Sequence, residues 1–98
     1  MKYRKRPVII EAFQMTEQRR SNNWDWPEWL NKAWNMDEGA VGAVWINPTD
    51  PQRLKLLIGT LEGIFLVDWN DWIIQGVQGE LYPCKPDIFA ATYEEVKE

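Results

Sequence analysis

The sequence predicts a single α+β domain, residues 1–98, in which a small antiparallel sheet is covered by one main helix. We expect the sheet to curl towards a barrel and a short C-terminal helical turn to follow it. Two patterns lead to this fold class: residues 54–96 alternate short strand signals with tight turns, and residues 25–39 repeat apolar side chains at helical spacing. A chain of 98 residues is the usual size of one domain with one core.

The first predicted strand spans residues 7–15, where β-branched and other apolar side chains occur on both faces. Because neither face is fully polar, we expect a central or well-covered strand. Residues 16–23 (TEQRRSNN) carry no apolar periodicity, and they are predicted to form a polar loop.

The main helix is predicted to begin near Asp25. Asp25 can cap it together with Glu28, three residues later, and Pro27 falls in the first turn, where its missing N–H is not needed. An apolar stripe then faces the sheet, formed by Trp26, Trp29, Leu30, Ala33 and Trp34. Gly39 is the expected end of the helix.

The remaining elements are short. Strands are predicted at residues 41–47, 54–58, 64–67, 72–75 and 80–82, with a loop at 47–51 and turns at 59–63, 68–71 and 76–79. Pro83 is expected to end the last strand, because it cannot donate to a ladder. Residues 85–87 then predict a helix start with Ile88, Phe89 and Thr92 on its buried side, followed by an extended piece at residues 93–96.

Cysteine content and hydropathy point to the cytoplasm. The single Cys84 cannot form an internal disulfide, and a lone thiol is commonest in a reducing compartment. The basic first residues are followed by only a short apolar run, so we expect no signal peptide. No stretch approaches the roughly 20 apolar residues that span a bilayer, and no membrane association is expected.

Charge is unevenly distributed along the chain. Four basic residues stand within the first six positions, Lys2, Arg4, Lys5 and Arg6, whereas the rest of the chain holds seven basic and fifteen acidic side chains, a net charge of −8. We call residues 7–98 the acidic body. Its negative charge argues against general nucleic-acid binding, which depends on contacts with phosphate groups. We interpret the basic start as a solvated lead-in to the first strand, and an arm that contacts an anion or partner is the alternative.

The absence of histidine restricts the possible chemistry. It removes Ser-His-Asp and Cys-His catalysis and the commonest zinc ligand. The glycines occur at hairpin spacing, without the lysine and Ser/Thr of a phosphate-binding loop. The sequence therefore predicts no catalytic site, no metal and no cofactor.

Three carboxylates are the only basis for an enzyme. Asp68 and Asp71 share one predicted turn, and Glu80 could approach them across the sheet, as an acid–base pair or a cation site would require. Because aspartates in tight turns usually bond to their own backbone, the structural interpretation is preferred. Cys84 lacks an activating base and is interpreted as a small buried hydrophobe, and Lys85 is a weaker candidate for binding an anion, which Asp87 would oppose.

The high tryptophan content, seven residues in 98, is the most informative feature of the composition. Trp29, Trp34 and Trp45 are assigned to the core, whereas the others crowd the helix start and the strand turns. Core packing and recognition remain open for that second group, since exposed tryptophan is enriched at binding hot spots and stacks on planar ligands. The candidate binding residues are Trp24, Trp26, Trp69, Asp71, Trp72, Tyr82 and Lys85.

Several motifs extend over most of the chain: KYRKRPVIIEAFQ at residues 2–14, WPEWL at 26–30 with Ala33 and Trp34, DWIIQGV at 71–77 and GELYPCKPDIF at 79–89. In these motifs the chain resembles a family of small uncharacterised phage and prophage proteins. The resemblance implies a viral or prophage origin and action inside a bacterial cell, and it implies no mechanism.

The leading hypothesis is a non-enzymatic phage or prophage accessory protein that binds a host or phage protein, for example to inhibit a host defence or regulatory complex. An acidic body with surplus aromatics suits a protein partner better than a phosphate-rich one. The alternative is a sponge for a nucleotide-like small molecule, with a Trp-lined pocket and Lys2, Arg4 or Lys85 at the phosphate. An enzyme based on Asp68, Asp71 or Glu80 comes third, and free sheet edges are compatible with a homodimer.

Overall fold

The computed structural model describes residues 1–97, except for the side chain of Trp24. Within this part of the chain the strands are β1 Glu11–Gln14, β2 Val44–Ile46, β3 Leu56–Thr60, β4 Gly63–Val67, β5 Trp72–Gln75 and β6 Leu81–Cys84. The helices are α1 Glu17–Ser21, α2 Glu28–Trp34 and α3 Pro86–Thr92, and a 3-10 turn lies at Asn23–Asp25. The α+β class is confirmed.

The strands form two antiparallel sheets of three strands each. Sheet 1 has the order β1–β5–β6, and sheet 2 has the order β2–β3–β4. The expected single sheet curling towards a barrel is wrong, because the turn between β4 and β5 carries the chain from one sheet into the other. Within residues 1–97 no ladder joins the two sheets, so neither of them closes.

The expectation of one main helix is also wrong, since α2 and α3 have seven residues each. Pro27 explains the late start of α2: a residue that precedes proline is restricted to extended backbone, and Trp26 adopts φ −64° and ψ 137°. Asp25 therefore remains in the 3-10 turn, and no side chain caps α2. The helix ends at Trp34, well before Gly39.

The segment predicted as a polar loop contains α1. Thr16 caps this helix, because its Oγ1 accepts the N–H of Arg19 at 3.1 Å. No residue of α1 is buried, which agrees with the lack of apolar periodicity in its sequence. The available signals were the capping threonine, the acidic Glu17 in the first turn and the basic Arg19 and Arg20 in the last turn.

Several strand limits differ from expectation, whereas residues 64–67 and 72–75 lie in strands as predicted. β1 and β2 are shorter than predicted, and residues 93–96 form no strand. Pro83 does not end β6: it lies inside this strand, opposite Ile73. An edge strand tolerates proline because the missing N–H faces away from the neighbouring strand.

One core joins the two sheets to α2. Cross-strand pairs such as Phe13 with Ile73 and Val44 with Ile58 place these side chains on the inner faces. The buried cluster consists of Phe13, Met15, Trp26, Leu30, Ala33, Val44, Leu56, Ile58, Val67, Ile73 and Leu81. Trp29, Trp34 and Trp69 are partly buried against it.

The outer faces of the two sheets differ in how they are covered. On sheet 1, Ile74 is fully buried, and Phe89 of α3 stacks on Trp72 of the same face at 4.1 Å between ring centroids. On sheet 2, Trp45, Leu57 and Leu66 lie opposite one another along a cross-strand row. Trp45 is buried as predicted, whereas the β4 end of the row is open to solvent.

A matched pair of leucine substitutions tests the position of the core. Leu30 of α2 is fully buried, whereas Leu61 in the β3–β4 turn is 90% exposed. Leu30→Ala should lower the free energy of unfolding by about 2–5 kcal/mol, because it leaves a cavity. Leu61→Ala should change it by less than about 0.5 kcal/mol. Equal effects of the two variants in urea denaturation would contradict the described packing.

Candidate protein-binding surface

Asp71 organises the turn between the two sheets. The residue is 2% exposed, and its Oδ2 accepts the N–H of Asp68 at 2.9 Å and a hydrogen bond from Lys85 Nζ at 3.1 Å. Its backbone carbonyl accepts the N–H of Met15 at 2.9 Å. The two predicted site residues Asp71 and Lys85 are thus brought together, but in a structural ion pair.

The other two carboxylates of the enzyme hypothesis are also engaged. Lys55 Nζ lies 2.9 Å from Asp68 Oδ1, and this contact lowers the pKa of Asp68 and raises that of Lys55. Glu80 Oε2 accepts the N–H of Gln78 at 3.1 Å within the β5–β6 turn. Among residues 1–97, no group of three His, Cys, Asp or Glu side chains is placed to hold a metal ion.

Three of the aromatic candidates with described side chains, Trp26, Trp69 and Trp72, are packed within the fold. Trp26 is buried and its indole N–H donates to the Arg19 carbonyl at 2.8 Å, so of the two open alternatives this residue takes core packing. Trp69 is half-buried against the core, and Trp72 is stacked on Phe89 under α3. The side chain of Trp24 lies outside the described residues.

Tyr82 and Cys84 are half-buried on β6, and both remain protonated at neutral pH. Burial, followed by the contact with Tyr93, raises the pKa of Tyr82 above its ordinary value, and the two hydroxyl oxygens lie 3.5 Å apart. Burial also raises the pKa of the Cys84 thiol. A raised thiol pKa is the opposite of what a nucleophilic cysteine requires.

The exposed apolar surface lies instead on β4. Ile64 and Leu66 are 58% and 63% exposed on the outer face of sheet 2, next to Leu61 in the turn. Phe65 points to the inner face and is also exposed. We call Leu61, Ile64, Phe65 and Leu66 the β4 surface.

Backbone geometry makes β4 a free edge. The N–H of Gly59 donates to Ala43, and the carbonyl of Lys55 accepts from Asn47, so alternate residues of β3 point towards β2. The intervening residues of β3 bond to β4, where Phe65 and Val67 are their partners. The N–H and C=O groups of Ile64 and Leu66 therefore point away from the sheet.

A groove runs beside β4, between the tip of the β3–β4 hairpin and β6. It has a volume of about 360 Å³, and its walls include Leu61, Phe65, Leu81 and Pro83. Glu62 and Glu80 also line it. The groove thus borders the inner side of the free edge.

The sequence contained one signal for the β4 surface. The segment GIFLV has no polar residue on either face and stands between Glu62 and Asp68. Such a run is typical of a strand covered on both sides, and periodicity does not distinguish a central strand from an exposed edge. The prediction therefore placed the strand correctly and missed its exposure.

The basic N-terminal residues and the pockets bear on the remaining hypotheses. Residues 1–9, with Lys2, Arg4, Lys5 and Arg6, are exposed. Lys85 lines a pocket with Asp50, Lys55 and Asp68, whereas Trp72 lines a different pocket that contains Glu94 and Glu95. The nucleotide-sponge hypothesis requires a tryptophan and a lysine in one pocket, but Trp72 and Lys85 line different pockets. These two pockets therefore give that hypothesis no support.

Trp29 and Lys32 line a further pocket, of about 600 Å³, together with Glu11 and Glu28. Lys32 Nζ lies 3.6 Å from Glu28 Oε1, so its charge is already paired. The buried Nε1 of Trp29 has no acceptor among the described residues. Two carboxylates at this pocket would oppose a phosphate group.

None of the helices in residues 1–97 has the length and apolar character needed to cross a bilayer. Comparisons with models of protein families, with curated proteins and with solved structures find no match for the chain. The phage resemblance therefore stays a prediction from the sequence motifs.

Asp71→Asn should destabilise the protein by about 1–3 kcal/mol, because an amide cannot reproduce the charge-assisted bond to Lys85. Asp37→Asn, in an exposed turn, is the matched control and should stay within about 0.5 kcal/mol of wild type. Urea denaturation of both variants measures the difference. A wild-type midpoint for Asp71→Asn would contradict the structural role of this carboxylate.

Acid should destabilise the fold through Asp50 and Asp68. The backbone N–H groups of Lys55 and Leu54 lower the pKa of Asp50, and Lys55 lowers that of Asp68. A folded-state pKa below the unfolded value of about 3.9 gives stability that is fully present above that value and is lost as the pH falls through the folded pKa. Unfolding free energy should therefore decline below about pH 4.

Urea denaturation at a series of pH values measures this decline. Asp50→Asn and Asp68→Asn should each reduce its slope, because each removes one carboxylate that the native state holds ionised. An unchanged acid slope in both variants would show that other groups control acid unfolding.

Proposed function

We propose that this protein is a non-enzymatic phage or prophage accessory protein that binds a host or phage protein by adding one of its strands to β4. The observation that carries this proposal is the coincidence of free backbone groups and exposed apolar side chains at Ile64 and Leu66. In strand addition, main-chain hydrogen bonds supply affinity, and alternate side chains supply specificity.

β4 lacks the features that usually protect a sheet edge. Sheet edges are usually blocked by proline, by charge or by a covering helix. β6 contains Pro83, and β2 is in contact with α2. The five residues of β4 include neither proline nor a charged side chain. Contiguous exposed apolar surface is a common feature of protein interaction sites, and this supports the proposal.

The partner chemistry follows from the faces of β4. An added strand would place alternate side chains beside Ile64 and Leu66, where apolar residues can extend the row that begins at Trp45. The acidic body favours a partner with basic residues around that strand. We therefore assign the surface to an extended, apolar segment of a basic protein.

Binding of this type also explains how the protein would inhibit. A partner segment paired with β4 has its backbone groups satisfied, so it is no longer free to pair elsewhere. If that segment belongs to a host defence or regulatory complex, its capture prevents the complex from forming. This action requires no catalytic residue.

Leu66→Pro tests the proposal at the edge itself. Proline removes an N–H that points away from β3, so strand addition should weaken at least about tenfold while the β3–β4 ladder persists. Affinity purification from bacterial lysates, with tagged wild type as bait, should recover a stoichiometric partner that Leu66→Pro and Leu66→Lys lose. In the complex, hydrogen exchange should slow at the Ile64 and Leu66 amides.

Ile88→Lys is the matched control, because Ile88 is an exposed aliphatic residue on α3, contrary to its expected burial, and lies outside the β4 surface. It should retain the partner, and circular dichroism should give native spectra for all three variants. Equal recovery with wild type and Leu66→Pro, or no partner from several hosts, would overturn the proposal.

A further inference from the structure

We infer that the groove beside β4 binds a lysine or arginine side chain of the added strand. This inference rests on the proposed strand addition and names the partner's sequence chemistry. The partner segment would alternate apolar residues with basic ones.

Alternation in the strand fixes which side chain enters the groove. Residues directly opposite each other in an antiparallel pair point to the same face. A partner residue opposite Phe65 therefore faces inward, towards the groove, whereas the residues beside Ile64 and Leu66 face outward. Every second residue of the partner strand therefore meets apolar surface, and the residues between them face the groove.

The charge of the groove is negative and uncompensated. Glu62 and Glu80 line it, and no lysine or arginine is among its lining residues. The salt bridges of the described residues involve neither of these glutamates. A cation that enters the groove would meet two carboxylates without displacing an existing partner.

Glu80 is held in place before any ligand arrives. Its Oε2 accepts the N–H of Gln78, and its side chain lies against Gly76, where a Cβ atom would collide with the carboxylate. A carboxylate that is already ordered loses less side-chain entropy when a ligand binds. Gly76, in the β5–β6 turn, therefore leaves the space that the Glu80 carboxylate occupies beside the groove.

The apolar walls suit the stem of a long basic side chain. Leu61, Phe65, Leu81 and Pro83 can pack against methylene groups while the charged head remains near the carboxylates. A volume of about 360 Å³ admits one such side chain with water around its head. A short polar side chain would leave these walls uncovered.

Synthetic peptides test this inference with defined probes. Each peptide carries valine at alternate positions and lysine, arginine, serine or glutamate at the central intervening position, and fluorescence anisotropy measures its affinity. The lysine and arginine peptides should bind at least about tenfold more tightly than the serine peptide, and the difference should shrink as salt is added.

The double variant Glu62→Gln/Glu80→Gln should lose the preference for the basic peptides and keep the affinity for the serine peptide. Glu94→Gln/Glu95→Gln is the matched control, because it removes the same charge from residues that line a different pocket. The control should keep most of the preference, which separates a local contact from general attraction to an acidic protein.

The outcomes distinguish the two proposals. Equal affinities for the lysine and serine peptides, or equal loss of preference in both double variants, would overturn the basic-residue pocket and leave strand addition intact. Equal binding of every peptide to wild type and Leu66→Pro would overturn strand addition. Failure of all peptides to bind wild type would count against both.

Discussion

The buried Asp71 carboxylate is the interaction on which the two-sheet arrangement depends. It ties the N–H of Asp68, at the end of sheet 2, to the ammonium of Lys85, beyond the last strand of sheet 1. Its own carbonyl binds Met15, after the first strand of sheet 1. A buried carboxylate is tolerated only when its charge is paired and hydrogen-bonded, and this turn provides both.

Because the chain passes from sheet 2 to sheet 1 at this turn, the outer faces of the two sheets are covered to different extents. The chain after sheet 1 forms α3, which covers the outer face of that sheet through Phe89 and Tyr93. Nothing comparable follows sheet 2, because the chain leaves β4 directly for β5. The exposed edge and the groove beside it are therefore consequences of the connection order, and our functional proposals rest on them.

Local signals predicted much of the fold and little of the candidate site. Turn residues located β4, β5 and the start of α3, and apolar spacing identified Leu30 and Ala33 as core. The division into two sheets depends on pairing between residues distant in sequence, which no local pattern contains. The same limit hid the β4 surface, since GIFLV is equally typical of a strand covered on both sides. Tryptophan content left core packing and recognition open, and in the structure Trp26 and Trp72 are engaged within the fold.

Alternation along β4 separates the evolution of recognition from that of the fold. Val67 belongs to the core, so substitutions at this position are limited by packing. Ile64 and Leu66 lie on the open face, where a new side chain leaves the core unchanged. Related sequences can therefore change partner by varying Ile64 and Leu66 while they conserve Val67. In a chain that follows a changing target, Ile64 and Leu66 would vary while Val67 stays constant.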